Sequence, residues 1–160
     1  MNRIINYCVS APTLGIAEGV FDHFYAFMKA RPVRNSEGEV NAAIILRTSE
    51  SAAEIDSARL LYEKGISLIQ GSVNGERQLN IEDLARIKRN AAYIGKLTKR
   101  VVNRLAEATG AGGLSDENIV HLAYVDITAA CSYVSMVWDT VAIPYGRAKV
   151  DFLSKGDLGV

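Results

Sequence analysis

Residues 107–126, EATGAGGLSDENIVHLAYVD, hold the densest grouping of side chains and bare backbone that could do chemistry. Gly110, Gly112 and Gly113 fall within one turn. Such glycines either reverse two helices or let the backbone approach a ligand such as a phosphate, and the N-terminus of a following helix favours an anion. GAGG has no expected strand before it, and no P-loop or Ser-His-Asp motif occurs, so no wider fingerprint supports a dinucleotide turn. His23 and His121 are the only histidines. Glu117 stands four residues before His121, but the second Glu-x-x-His of a di-metal bundle is missing, and no metal site is expected. His23, between Asp22 and Phe24, reads as a surface residue. Asp126 and Asp139 stand among apolar residues, where a carboxylate must be paired, capped or neutral. An arginine of the preceding helix is the expected partner. Trp138, Tyr133 and Tyr145 either line an aromatic pocket or fill a core.

Long helices must position these residues. From Ala11 the apolar residues Leu14, Ile16, Ala17, Val20, Phe21, Phe24, Phe27 and Met28 recur at helical steps, with Pro12 suited to a first turn and Pro32 to the break. Ser36 and Glu39 have capping-box spacing ahead of a second helix from Val40, which Gly71 is expected to cap and Gly75 to follow as a turn. Asn80 caps a third helix. There Leu84, Ile87, Ala91, Ile94, Leu97, Val101 and Leu105 form the cleanest apolar stripe, with Lys88, Arg89, Lys96, Lys99 and Arg100 opposite. A fourth helix is expected from Ser115 or Asp116 to about residue 153, kinked at Pro144. No alternating run long enough for a strand occurs. The expected fold is all-α, an antiparallel four-helix bundle. NAAIIL and AACSYVSMVW are apolar on more than one face, which predicts either a crowded single core or, as the favoured reading, a second buried surface against another subunit or a missing domain. A homo-oligomer, dimer or tetramer, is expected.

The chain has 160 residues and a formal net charge of zero, which suits one domain and argues against nucleic-acid binding. Cys8 and Cys131 are the only cysteines and are expected to be free and buried. No signal-peptide pattern is present, and no uncharged apolar run approaches the roughly 18 residues that span a bilayer. A cytoplasmic location with no membrane partner is expected.

Several stretches together resemble the C-terminal helical domain of the acyl-CoA dehydrogenase superfamily. APTLGIAEGVFDHFYAF is similar to its opening helix, with a Leu-Gly-Ile-Ala signature. SAAEIDSARLLYEKG is similar to its second helix, where an Ala-Glu-Ile-Asp-x-Ala-Arg run is usual. RLAEATGAGGLSDENIVHLAYVDITAACSYVSMVWDTVAIPYGRAKVDFL resembles the final helices. Within it, VWDTVAIPYGR is most similar to the monooxygenase branch, which hydroxylates aromatic or related substrates with reduced flavin and O2, while the Gly-Thr/Ser-x-Glu-Ile pattern of dehydrogenases is missing.

The resemblance implies FMN or FAD as cofactor, with Gly110, Gly112, Gly113, Asp126 and Trp138 beside it. It implies a flavin reductase or companion subunit as partner. Relatives carry Arg-Asp where Val125-Asp126 stands and an arginine where Leu122 stands, so cations that would hold a flavin phosphate are missing. The position of a family histidine that acts in hydroxylation is Tyr133, a hydrogen-bond donor but a poor base near neutral pH, since an ordinary tyrosine has a pKa of about 10. The family's N-terminal helical domain and β-barrel are not found in residues 1–160, which are expected to form a single helical domain, inactive alone. The alternatives are a non-catalytic oligomerisation module, or a fragment of a dehydrogenase acting on acyl thioesters.

Overall fold

The computed structural model describes residues 5–30, 32, 36, 38–39, 41–110 and 118–149. The elements are α1 (Ile5–Ala30), α2 (Ala42–Val73), α3 (Ile81–Thr109), α4 (Ile119–Cys131), a 3₁₀ turn (Val134–Met136) and α5 (Trp138–Lys149), with no strand among the described residues. α3 is the central helix, packed against α1, α2, α4 and α5. Its start is fixed by a full capping box. Asn80 Oδ1 accepts from the Asp83 N–H at 2.8 Å, and Asp83 Oδ2 accepts from the Asn80 N–H. The expected stripe faces inward, with Ile94 fully buried and Leu97 nearly so.

The core reveals the register. Tyr7, Leu68, Ile87 and Ala91 form one cluster, Leu14, Ala58, Ile94 and Leu97 the next, and Val20, Phe24, Ile55, Val101 and Leu105 a third. Numbers rise along α1 and α3 while they fall along α2, so α2 runs antiparallel to both. Along α3 the final segment also descends. Val120 and Ile127 join the third cluster, Cys131 reaches Gly95, Trp138 meets Tyr93 and Lys149 pairs with Glu82. The antiparallel four-helix bundle is therefore present, with its fourth member broken into α4 and α5.

Several expected boundaries differ. α1 begins at Ile5, so Pro12 lies inside it. Hydroxyls satisfy carbonyls around the proline: Ser10 Oγ donates to the Tyr7 carbonyl and Thr13 Oγ1 to that of Ser10. The N-cap of α2 is Asn41, whose Oδ1 accepts from the Ala43 N–H at 2.9 Å, while Ser36 and Glu39 precede the helix and do not cap it. α2 runs past Gly71 to Val73, with Asn74 as C-cap and Gly75 at φ 76° in the turn. The fourth helix breaks after Cys131, well before Pro144, which α5 accommodates in its interior. Cys8 is exposed and Cys131 half-buried, and both are free. Val40, Ser115 and Asp116 lie outside the described residues.

The expected second apolar face is present. Leu122 and Val125 of α4, Val134 of the 3₁₀ turn, Ile143 of α5, and Ile45, Leu46 and Leu60 of α2 are all more than half exposed or close to it. No described helix is long and apolar enough to cross a membrane.

Candidate functional site

Asn103, Ala106, Glu107 and Gly110 of the C-terminal end of α3, with Tyr124 of α4, line a cavity of about 410 Å³. Gly110 caps α3 at φ 64°, ψ −162°, a conformation that a side chain disfavours, and its N–H donates to the Glu107 carbonyl. Asn103 lies seven residues earlier, two turns back on the same face. Its Oδ1 is buried and has no hydrogen-bond partner. A buried acceptor left unsatisfied is costly, so a donor brought by a ligand would be stabilising there. The chemistry of this wall is acceptor-rich. α3 has no basic residue in its last turn to offset the negative end of its dipole, and Glu107 adds a carboxylate. Tyr124, 41% exposed, supplies an aromatic face. These described walls suit N–H or O–H groups on a ring, not a bare phosphate.

Of the expected turn, only Gly110 can be placed, since Gly112 and Gly113 lie outside the described residues. Glu117 lies there too. Asp126 is exposed on α4, not enclosed by apolar side chains. The α3 arginines expected to pair with it are engaged elsewhere. Arg100 meets Glu54 at 2.6 Å, and Arg104 meets Glu54 at 3.0 Å and Glu50 at 3.2 Å, all on α2. Asp139 is likewise exposed at the start of α5. His23 is exposed, and no metal-binding group of three or more ligands occurs among the described residues.

The second locus is the break between α4 and α5. Ser132 Oγ donates to the Thr128 carbonyl, and the Ser132 and Tyr133 N–H groups take the carbonyls of Ala129 and Ala130. The chain then tightens into the 3₁₀ turn, closed by Met136 N–H donating to the Tyr133 carbonyl at 2.8 Å. Tyr133 stands on the resulting arch, 49% exposed. Trp138 does not join it in a pocket. Its ring packs on Tyr93 of α3 with centroids 5.2 Å apart, and Lys96 lies over it at 5.3 Å. Tyr145 is a separate group, with the Arg89 guanidinium 3.9 Å above its ring. Burial alone would raise the Tyr145 phenol, but Arg89, Arg86 and Lys149 outweigh it and hold the phenol below its ordinary range. Burial pushes the Cys131 thiol up, so it stays protonated and donates to the Gly95 carbonyl. Tyr133 follows the end of α4, while Tyr124 of the Gly110 cavity lies in the middle of that helix, so about 10 Å of helix separates the two. Neither Asn103 nor Tyr124 is singled out by the sequence, because nothing local marks a lone amide or tyrosine on a helix as lining a cavity.

Comparison with known proteins bears on the family and the fold. Residues 7–138 match the family described as acyl-CoA dehydrogenase, C-terminal domain. The chain is 25% identical over 159 residues to the oxygenase component of an FADH(2)-dependent resorcinol hydroxylase from Rhizobium sp. (strain MTP-10005), a match covering 93% of this chain and 39% of that protein. The fold is shared with 3-HSA hydroxylase from Rhodococcus sp. RHA1, at TM-score 0.87 and 17% identity over 98% of this chain and 39% of the other. It is shared with the HsaA monooxygenase from M. tuberculosis at TM-score 0.86 and 21% identity, covering 96% and 40% of the two chains. XiaF from Streptomyces sp., solved with FADH2 and glycerol, matches at TM-score 0.85 and 15% identity, covering 93% and 38%. The chain therefore spans about two-fifths of the length of these relatives.

Proposed function

Because the chain belongs to the acyl-CoA dehydrogenase C-terminal domain family, we propose that it is the helical domain of a reduced-flavin, O2-using aromatic monooxygenase. In this reading it forms one wall of the flavin crevice and the contact between copies of the protein. The observation that carries it is the cavity at Gly110, where the buried Oδ1 of Asn103 lacks a donor. That acceptor, the Glu107 carboxylate and the Tyr124 ring fit the amino- and hydroxyl-bearing adenosine end of a dinucleotide. FMN has no adenosine, so a cofactor that fills this cavity in that way is FAD. When bound, the reduced flavin supplies the electrons that activate O2.

The chain's own groups then have limited roles. Asn103 accepts a hydrogen bond from the ligand, and the bare Gly110 backbone leaves room for it. Tyr133 donates a hydrogen bond at the arch, orienting a phenolic substrate without serving as a base near neutral pH. The exposed apolar residues Leu122, Val125, Val134 and Ile143 build the subunit contact. A flavin reductase as partner and a cytoplasmic location belong to the same reading. One observation favours a second reading, a non-catalytic assembly module: Leu122 and Val125 replace the family's cations and leave an apolar surface instead.

Calorimetric titration of the chain with FAD and with FMN tests the proposal. FAD is expected to bind at least about tenfold tighter than FMN, and Asn103→Leu to weaken FAD by about tenfold, the loss of one well-made hydrogen bond to a buried acceptor. No heat with either flavin, oxidised or reduced, would overturn the flavin reading and leave the assembly module.

A further inference from the structure

We infer that Gly95 is a positioning residue: the bare backbone it leaves on α3 seats Met136 and Cys131, and this seat fixes the arch that presents Tyr133. The inference rests on the role proposed above for Tyr133. Its geometry converges on one spot. A Cβ at residue 95 would lie 2.7 Å from Met136 Cε and 3.4 Å from Cys131 Sγ, and the first distance is well inside the contact distance of two carbon atoms. Met136 is only 4% exposed. Cys131 Sγ donates to the Gly95 carbonyl at 3.3 Å. The same carbonyl accepts from Thr98 Oγ1 at 3.2 Å.

Cys131 and Met136 are the two feet of the arch, one closing α4 and the other closing the 3₁₀ turn. Both stand on Gly95, and two residues after Met136, Trp138 packs on Tyr93, two residues before Gly95 on α3. Tyr133 and Val134 at the crown are exposed while the feet are buried or half-buried. A glycine in the middle of a helix weakens it relative to alanine, so this one calls for a packing reason, and the seat provides it. An alanine methyl at residue 95 would meet only the mobile end of the Met136 side chain, which can swing aside, whereas a side chain as large as leucine would take the place Met136 occupies and move the crown with it.

The test uses the chain carrying 3-fluorotyrosine at position 133 in a Cys8→Ser background, read by fluorine NMR with and without FAD. The rate at which Cys131 reacts with a soluble disulfide reagent reports the seat. Gly95→Leu and Met136→Ala are each expected to speed Cys131 modification about tenfold or more. Each is expected to abolish the FAD-induced change in the Tyr133 resonance while FAD affinity stays within about threefold of wild type. In the double variant the leucine side chain introduced by Gly95→Leu refills space left by Met136, and the FAD response is expected to return. If wild type responds to FAD and both single variants respond equally, the positioning role is wrong, whatever Cys131 does. If FAD binds wild type without touching the Tyr133 resonance, the role of Tyr133 falls and this inference with it. Absence of FAD binding to wild type would instead fail the flavin reading itself, from which the inference proceeds.

Discussion

Tyr7 illustrates how much one residue decides. It is 1% exposed, its ring tilts against Tyr62 with centroids 5.5 Å apart, and its hydroxyl points at Gly65 without a hydrogen-bond partner. Burial, then the neighbouring Tyr62, pushes its phenol up to about 12. The sign follows from the direction. The folded state holds the proton more tightly than the unfolded chain, so this stabilisation is complete below the ordinary tyrosine value of about 10. It is lost as pH rises from there toward the folded value. Alkaline unfolding monitored by circular dichroism is expected to steepen in that window, and Tyr7→Phe is expected to flatten it. Tyr7→Phe should also leave stability at neutral pH unchanged or higher, because the hydroxyl it removes has no partner to lose. A clear loss at neutral pH would mean that the hydroxyl is bonded. Tyr145 is the contrasting residue, ringed by cations, and phenolate absorbance should show it titrating first among the two.

At the scale of elements, α3 was legible and the fourth helix was not. α3 announces itself through the spacing of Leu84 to Leu105 and the Asn80 cap, both local signals. The break after Cys131 has no local signal, because AACSYVSMVW is apolar without a period. It packs against Gly95, 36 positions before Cys131 along the chain and brought near only by folding. The glycines of the candidate site were visible as a cluster. Asn103 was not, because a lone amide on a helix rich in polar residues carries no pattern, and the burial of its oxygen is a tertiary fact. Asp126 misled for the reciprocal reason: its apolar sequence neighbours Leu122 and Val125 are themselves on the surface. Substitutions separate the two kinds of apolar residue. Ile94→Ala, at a fully buried position, is expected to cost about 2–5 kcal/mol in chemical denaturation. Leu60→Ala, at a position 67% exposed, should stay within about 0.5 kcal/mol in the monomer. Equal costs would mean that the face assigned to the core is wrong.

For the molecule as a whole, the bundle places the Gly110 cavity and the Tyr133 arch along α4 and surrounds them with apolar surface that it does not itself cover. That combination suits the proposed domain, which completes a crevice and meets another copy. The most direct test of the central claim, a flavin-binding domain that assembles, is light scattering on a sizing column run with FAD, with FADH2 and without flavin. A dimer or tetramer that carries flavin with it, and loses the flavin but not the assembly on Asn103→Leu, is the predicted result. A monomer, or an oligomer that elutes free of flavin in either redox state, would contradict it.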